Sequence, residues 1–185
     1  PESTKTNIQA AAHSGGCLSF PTTSKEYIFL ALTFQKAQLS DLDLLVQTRL
    51  TILRTANKLP SDTPLPQVEE QSRIYYADAL ADGSHTAYLV FDGDCWIGAG
   101  GISYFRVMPT VDNPTGQKGY YMNLYVALEY RRQGICTKLL DLLTADAHVR
   151  GVTFLTLEAT AMGRPVYERY GFRAMEHEMI LVENS

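Results

Sequence analysis

The feature that most limits how this chain can fold is a strand-to-helix junction in its second half. Gly119–Val126 is a β-prone run. A few residues on, past Gly134, the strongest helical pattern in the sequence covers Gln133–Arg150. Its apolar positions Ile135, Leu139, Leu142, Leu143 and Ala147 keep helical spacing, and Gly151 stands where a C-terminal cap belongs. A strand that runs into an amphipathic helix belongs to a sheet with helices packed on it.

The remaining segments extend that alternation. Tyr27–Lys36 reads as a strand, and Ser40-Asp41 as the cap of a helix with the stripe Leu42, Leu45, Val46, Arg49, Leu50 and Leu53. Lys58–Gln67 holds Pro60, Pro64 and Pro66 and reads as a loop before a second helix, Val68–Ala81. Thr86–Phe91 and Cys95–Val107 are strands joined by Asp92-Gly93-Asp94, which has hairpin chemistry. The glycines at 98, 100 and 101 predict a bulge or a close backbone approach. Met108–Lys118, with Pro109 and Pro114, is a loop. Val152–Ala159 is a buried-type strand, Arg164–Tyr170 a short helix ended by Gly171, and Phe172–Val182 a last strand. Residues 1–25, rich in Ser, Thr, Gly and Ala, read as an N-terminal tail or irregular lead-in, which leaves 26–185 as one folded domain.

Charge and cysteine usage narrow the partners. A net charge of −4 argues against a nucleic-acid partner, because phosphate binding needs a basic surface. The longest apolar run, Tyr27–Phe34, is too short to span a bilayer, so no membrane partner is expected. Cys17, Cys95 and Cys136 are odd in number and widely spaced, which suggests neither a disulfide framework nor a CxxC metal site. The four histidines form no HxH or HExxH pair, so no metal is expected, and a reducing, cytoplasmic compartment fits best.

The junction itself has chemistry. At a helix N-terminus several backbone N–H groups point outward unpaired, and the helix dipole favours negative charge there. A glycine lets a phosphate approach the backbone closely. Arg131, Arg132 and Lys138 add positive charge around the turn. A plain glycine turn with solvated arginines would share these features.

Two motifs decide between those readings. The run RRQGIC, Arg131 to Cys136, resembles motif A of the GNAT acetyltransferase superfamily, Arg/Gln-x-x-Gly-x-Gly/Ala, with Asn123–Val126 as its preceding strand and Leu139-Leu140 in its helix. Pro165–Phe172 resembles that family's other recurrent motif, a tyrosine four residues before a Gly-Phe pair, with Tyr167 in the tyrosine position. The match spans roughly residues 32–183. It implies an α/β (α+β) fold with a mixed, mostly antiparallel sheet splayed at the coenzyme site and flanked by helices. It also implies acetyl-CoA as acyl donor. The pyrophosphate would sit on backbone N–H groups from Arg132 to Thr137, so that Arg131, Arg132, Gln133, Gly134, Ile135, Cys136, Thr137 and Lys138 contact the coenzyme. The pantetheine arm would lie along Leu124, Tyr125 and Val126, with N–H near Val126 as oxyanion donor. Two positions depart from the pattern. Cys136 replaces the usual Gly or Ala, leaving less clearance, and Thr160 stands where an asparagine is common.

The implied transfer to an amine sets further needs. An alkyl ammonium, with a pKa of about 10.4, must lose a proton to attack, so a base is required. The leaving thiolate, with a pKa near 8.5 if it resembles cysteine, is helped by an acid. Tyr167 suits that acid; its alternative is a core tyrosine. Glu158 is the base candidate; its alternative is an outward-facing strand carboxylate. Asn123 and Arg49 are candidates to contact the acceptor, against a structural asparagine and a surface ion pair. Cys136 is not read as a nucleophile, since motif A chemistry is direct transfer. The acceptor would be a small-molecule amine or a protein amine, and a homodimer is compatible with the family. A non-catalytic acyl-CoA-binding regulatory module is the competing function. A nucleotide-binding domain is disfavoured by the lack of a Walker Lys-Ser pair or a full GxGxxG.

Overall fold

In the computed structural model, which describes residues 32–175 and 178–179, five strands form one sheet: β1 (Leu32–Lys36), β2 (His85–Asp92), β3 (Cys95–Arg106), β4 (Gln117–Val126) and β5 (Phe154–Leu157). They lie in sequence order. The first four are antiparallel, and β5 joins β4 in parallel. Four helices flank the sheet: α1 (Leu42–Ala56), α2 (Pro66–Ala81), α3 (Ile135–Val149) and α4 (Arg164–Tyr170). This is the mixed α/β arrangement expected from the sequence.

The layers follow from alternation along β2, which is buried on both faces. Ala87 and Leu89 pack with Leu45, Val46 and Ile52 of α1 and Tyr76 of α2. Tyr88 and Val90 face the other way, onto Ile135, Leu139, Leu140 and Leu143 of α3, with Val166 and Tyr170 of α4 at the margin. The hairpin between β2 and β3 turns through Gly93 at φ +56°, a conformation that glycine adopts without strain.

Several boundaries move for local reasons. The carboxylate of Asp41 accepts the Gln38 N–H at 2.8 Å, so Leu39–Asp41 forms a 3-10 turn and neither Ser40 nor Asp41 caps α1 with its side chain. Thr48 and Ile52 join the buried face of α1, because the helix packs on both α2 and the sheet. Pro66 starts α2 two residues before the expected point, since a proline fits the first turn, where no N–H is needed. The strand expected over Val152–Ala159 keeps only Phe154–Leu157. Phe172–Met175 and Glu178–Met179 form no strand, and the rest of the expected last strand lies outside the described residues, as does Tyr27–Ala31 of the first.

β4 and β5 pair only from Lys118–Tyr121 to Phe154–Leu157. Beyond Tyr121, β4 runs on to Val126 with β3 on one side only, so the parallel pair splays open. Next to that opening β4 carries a bulge. Ala99 faces Tyr125 while Gly101 faces Met122, so β4 holds one more residue than β3 across the interval. The extra residue is taken up at Asn123, whose φ is +59°, a region that asparagine tolerates better than most side chains. The glycines of β3 meet both expectations: Val90 faces Gly98 while Phe91 faces Trp96, so β3 bulges at Ile97 beside Gly98, and the glycines also allow close approach. A Cβ on Gly100 would stand 2.8 Å from Leu124 Cδ2, and one on Gly98 would stand 2.9 Å from Tyr125 O.

Candidate active site

The open edge of β4 leads straight into the motif loop. The Ala127 N–H donates to Ile97 O at 2.8 Å, toward β3. Alternation therefore turns the N–H and C=O of Val126 to the other edge, into the gap that β5 leaves. The Val126 carbonyl accepts from Arg131 Nε at 2.9 Å. Arg131 also donates to Met162 Sδ at 3.1 Å. Its side chain thus ties the motif loop to the end of β4 and to the segment before α4, a structural task in addition to any coenzyme contact.

After Arg131 the backbone alternates in handedness: Arg132 has φ +63° and Gly134 φ +89°. Such alternation makes a concave nest of N–H groups suited to an anion. Gly134 is the N-cap of α3 and offers no side chain to its N–H groups. The first backbone donation back into the helix is from Lys138 N–H to Gly134 O, at 3.0 Å. Arg132, Thr137 and Lys138 are exposed around this end, and Ile135 is buried beneath it as an anchor. The loop fits a pyrophosphate, and the unpaired stretch of β4 fits an extended arm laid beside it.

Tyr167 and Cys136 come together at the same end of the sheet. Both are half-buried. Burial pushes the Tyr167 phenol up to about 12, with a smaller push from Cys136. Burial pushes the Cys136 thiol up to about 11. A thiol in these surroundings is therefore protonated at neutral pH, which agrees with reading Cys136 as no nucleophile. Tyr167 lies edge-on to Phe172, with ring centroids 6.1 Å apart. Thr160 accepts the Gly163 N–H on its hydroxyl at 3.1 Å, and its carbonyl accepts the Arg164 N–H at 2.9 Å, so this departure from the family pattern shapes the turn into α4.

Arg49 and Asn123, far apart in sequence, meet. Arg49 donates from its guanidinium to Asn123 Oδ1 at 3.2 Å, and Asn123 Nδ2 reaches Tyr76 Oη at 3.4 Å. They line a cavity of about 470 Å³ between α1, α2 and the β4 bulge, together with Gln71, Tyr75, Tyr76 and Met122. Glu158 follows the last residue of β5 and is exposed. It interacts with the Tyr120 hydroxyl, and that interaction adds to the effect of burial in raising the Tyr120 pKa. Among the described residues, no group of three His, Cys, Asp or Glu side chains could hold a metal ion. No helix among them is long and apolar enough to cross a membrane.

The family described as acetyltransferase (GNAT) domain matches residues 72–181, more than half of the chain. This protein belongs to the GNAT acetyltransferase family. Its fold is similar to that of a predicted acetyltransferase from Clostridium acetobutylicum solved with acetyl-CoA, at 29% identity and TM-score 0.75, covering 82% of this chain and 96% of that one. A GCN5-related N-acetyltransferase from Ralstonia eutropha JMP134 matches at 25% identity and TM-score 0.70, covering 82% and 98%. Glucosamine-6-phosphate N-acetyltransferase from Arabidopsis thaliana shares the fold at 13% identity and TM-score 0.61, covering 83% and 99%. Among curated proteins no match was found.

This GNAT chain also holds site features that sequence reasoning missed. Tyr75 and Tyr76 line the cavity from α2, and Tyr75 Oη is 3.0 Å from His85 Nδ1. His85 is 3% exposed, and burial alone pushes its pKa down to about 4. Adjacent tyrosines on a helix, followed by a buried-type strand that opens with a histidine, were the available signal. Tyr120 was hidden in the strand pattern of β4.

Proposed function

We propose that this GNAT protein moves an acetyl group from acetyl-CoA to a primary amine by direct attack. The observation that carries the reading is the open edge of β4. It ends at an inward-turned Val126 N–H and passes within eight residues into the N-terminus of α3. The backbone from Arg132 to Thr137, with Lys138 and Arg132 as exposed cations, is the seat for the coenzyme's pyrophosphate. Leu124, Tyr125 and Val126 are the rail for its arm. When bound, acetyl-CoA supplies the activated thioester.

The other roles belong to this chain's own side chains. The Val126 N–H is the donor for the oxygen that gains charge during transfer. Tyr167 keeps its proton at neutral pH and donates it toward the departing sulfur. Unaided transfer from a phenol near 12 to a thiolate near 8.5 would be uphill. The shift of Cys136 to about 11 supports a closer match, because burial raises a thiol there too. Glu158, through Tyr120, is the base on the acceptor side, and Asn123 and Arg49 orient the acceptor. The free thiols of Cys95 and Cys136 support work in a reducing, cytoplasmic setting.

Two readouts test the proposal. Acetyl-CoA raises the melting temperature by mass action, and Gly134→Glu removes that rise by placing a side chain and a negative charge in the phosphate seat. Thiol release with a panel of amines shows turnover. A rise without thiol release for any amine would leave a non-catalytic acyl-CoA-binding module, and an unchanged rise in Gly134→Glu would remove the coenzyme seat.

A further inference from the structure

We propose that the acceptor is a small amine that also carries a carboxylate and an apolar or aromatic body, and that Arg49 binds the carboxylate. This rests on the acetyltransferase reading above.

The cavity beside the β4 bulge has a volume of about 470 Å³, the size that holds a small molecule. Among the described residues, Arg49 is the one charged side chain that lines it, and no Asp or Glu does. Arg49 is half-buried. It spends one donor on Asn123 Oδ1, and among the described residues no carboxylate forms an ion pair with it. A guanidinium offers five N–H donors in a planar fork that matches a carboxylate. Its charge lowers the pKa of Tyr75, Tyr76 and Tyr120, against the larger effect of burial, so it acts on both tyrosines of the cavity wall and on Tyr120 beside it. A half-buried cation with no counter-ion among the described residues attracts an anion and repels a polycation.

The walls complete the description. Tyr75 and Tyr76 meet edge to face, with centroids 5.5 Å apart, and Val68 and Met122 add apolar surface. Tyr120 stands two residues before Met122, on the same face of β4. Its hydroxyl feels both Arg49 and Glu158. One positive and one negative group therefore act on the same tyrosine, which suits an amine and a carboxylate on one molecule.

The test separates binding from turnover. Calorimetry in the presence of CoA measures the affinity of L-phenylalanine, L-methionine and L-leucine, of their carboxamides, and of spermidine and sisomicin. At least one free acid is expected to bind roughly 10- to 100-fold more tightly than its amide, the range for a charge-assisted hydrogen bond. Arg49→Gln should erase that gap and leave CoA affinity unchanged, while Arg49→Lys keeps part of it. The inference is overturned if no acid binds, if amides match their acids, if a polycation binds more tightly than every acid, or if the gap survives in Arg49→Gln. Should both variants fail to fold, the acid–amide comparison in the wild-type protein still decides. Thiol release from acetyl-CoA with the same compounds is scored apart: a binding gap without release sinks the transferase reading and keeps the carboxylate site.

Discussion

The ring of Tyr167 lies against Gly163: a Cβ there would stand 2.8 Å from ring atom Cε2 and 3.2 Å from the phenolic oxygen. The backbone of Gly163, at φ −78° and ψ −30°, would accept any residue, so the constraint is the ring alone. Gly163→Ala is therefore expected to push Tyr167 aside and to lower turnover by up to about 10²-fold, the cost of misplacing a group by an ångström. CoA affinity should stay as in the wild-type protein. Combining it with Tyr167→Phe should add little, and full additivity of the two losses would show that Gly163 acts by another route.

Tyr167→Phe removes one oxygen and keeps the ring against Phe172. Turnover should fall by about 10²–10⁴-fold, the usual range for a lost general acid. Stability and coenzyme binding should change little. The defect should shrink with an acyl donor whose thiol is more acidic. Retention of more than about half the wild-type rate would remove the acid assignment.

Cys136 occupies the small-residue position of the motif. Cys136→Gly is expected to keep or improve CoA affinity and Cys136→Leu to weaken it, measured by calorimetry. With its thiol half-buried and pushed up to about 11, Cys136 should be alkylated far more slowly than the exposed Cys95 at pH 8. Equal labelling rates, read by peptide mass spectrometry, would contradict that burial.

His85 gives a pH dependence with a definite sign. Its pKa is lowered from 6.5 to about 4 in the folded chain, so between these values the unfolded chain binds more protons. Stability is then whole above about pH 6.5 and falls as pH drops toward 4, by about 3 kcal/mol in all. Denaturation midpoints at pH 7 and pH 4.5 measure it. His85→Asn, which keeps an atom near Nδ1 for Tyr75 and cannot titrate in this range, should flatten the slope. An unchanged slope would assign the acid loss to other groups.

Local sequence determined the segments of this GNAT domain whose signals are local. α3 was legible because apolar spacing repeats at 3.6 residues, and both α3 and α4 because Gly151 and Gly171, at φ +72° and +116°, end them where a Cβ would be strained. The hairpin at Gly93 and the motif loop at Gly134 were legible for the same reason. What lay between distant segments was not. The meeting of Arg49 with Asn123 depends on the register of β4, and the single extra residue between Met122 and Tyr125 decides which side chains face the cavity. The tie from Arg131 to Val126, the pairing of Tyr75 with His85, and the exposed position of Glu158 beside Tyr120 likewise follow from how strands and helices stack. Periodicity states which face of an element is apolar, but it carries no information on what that face will meet, because register and packing are settled by contacts between residues far apart in the chain.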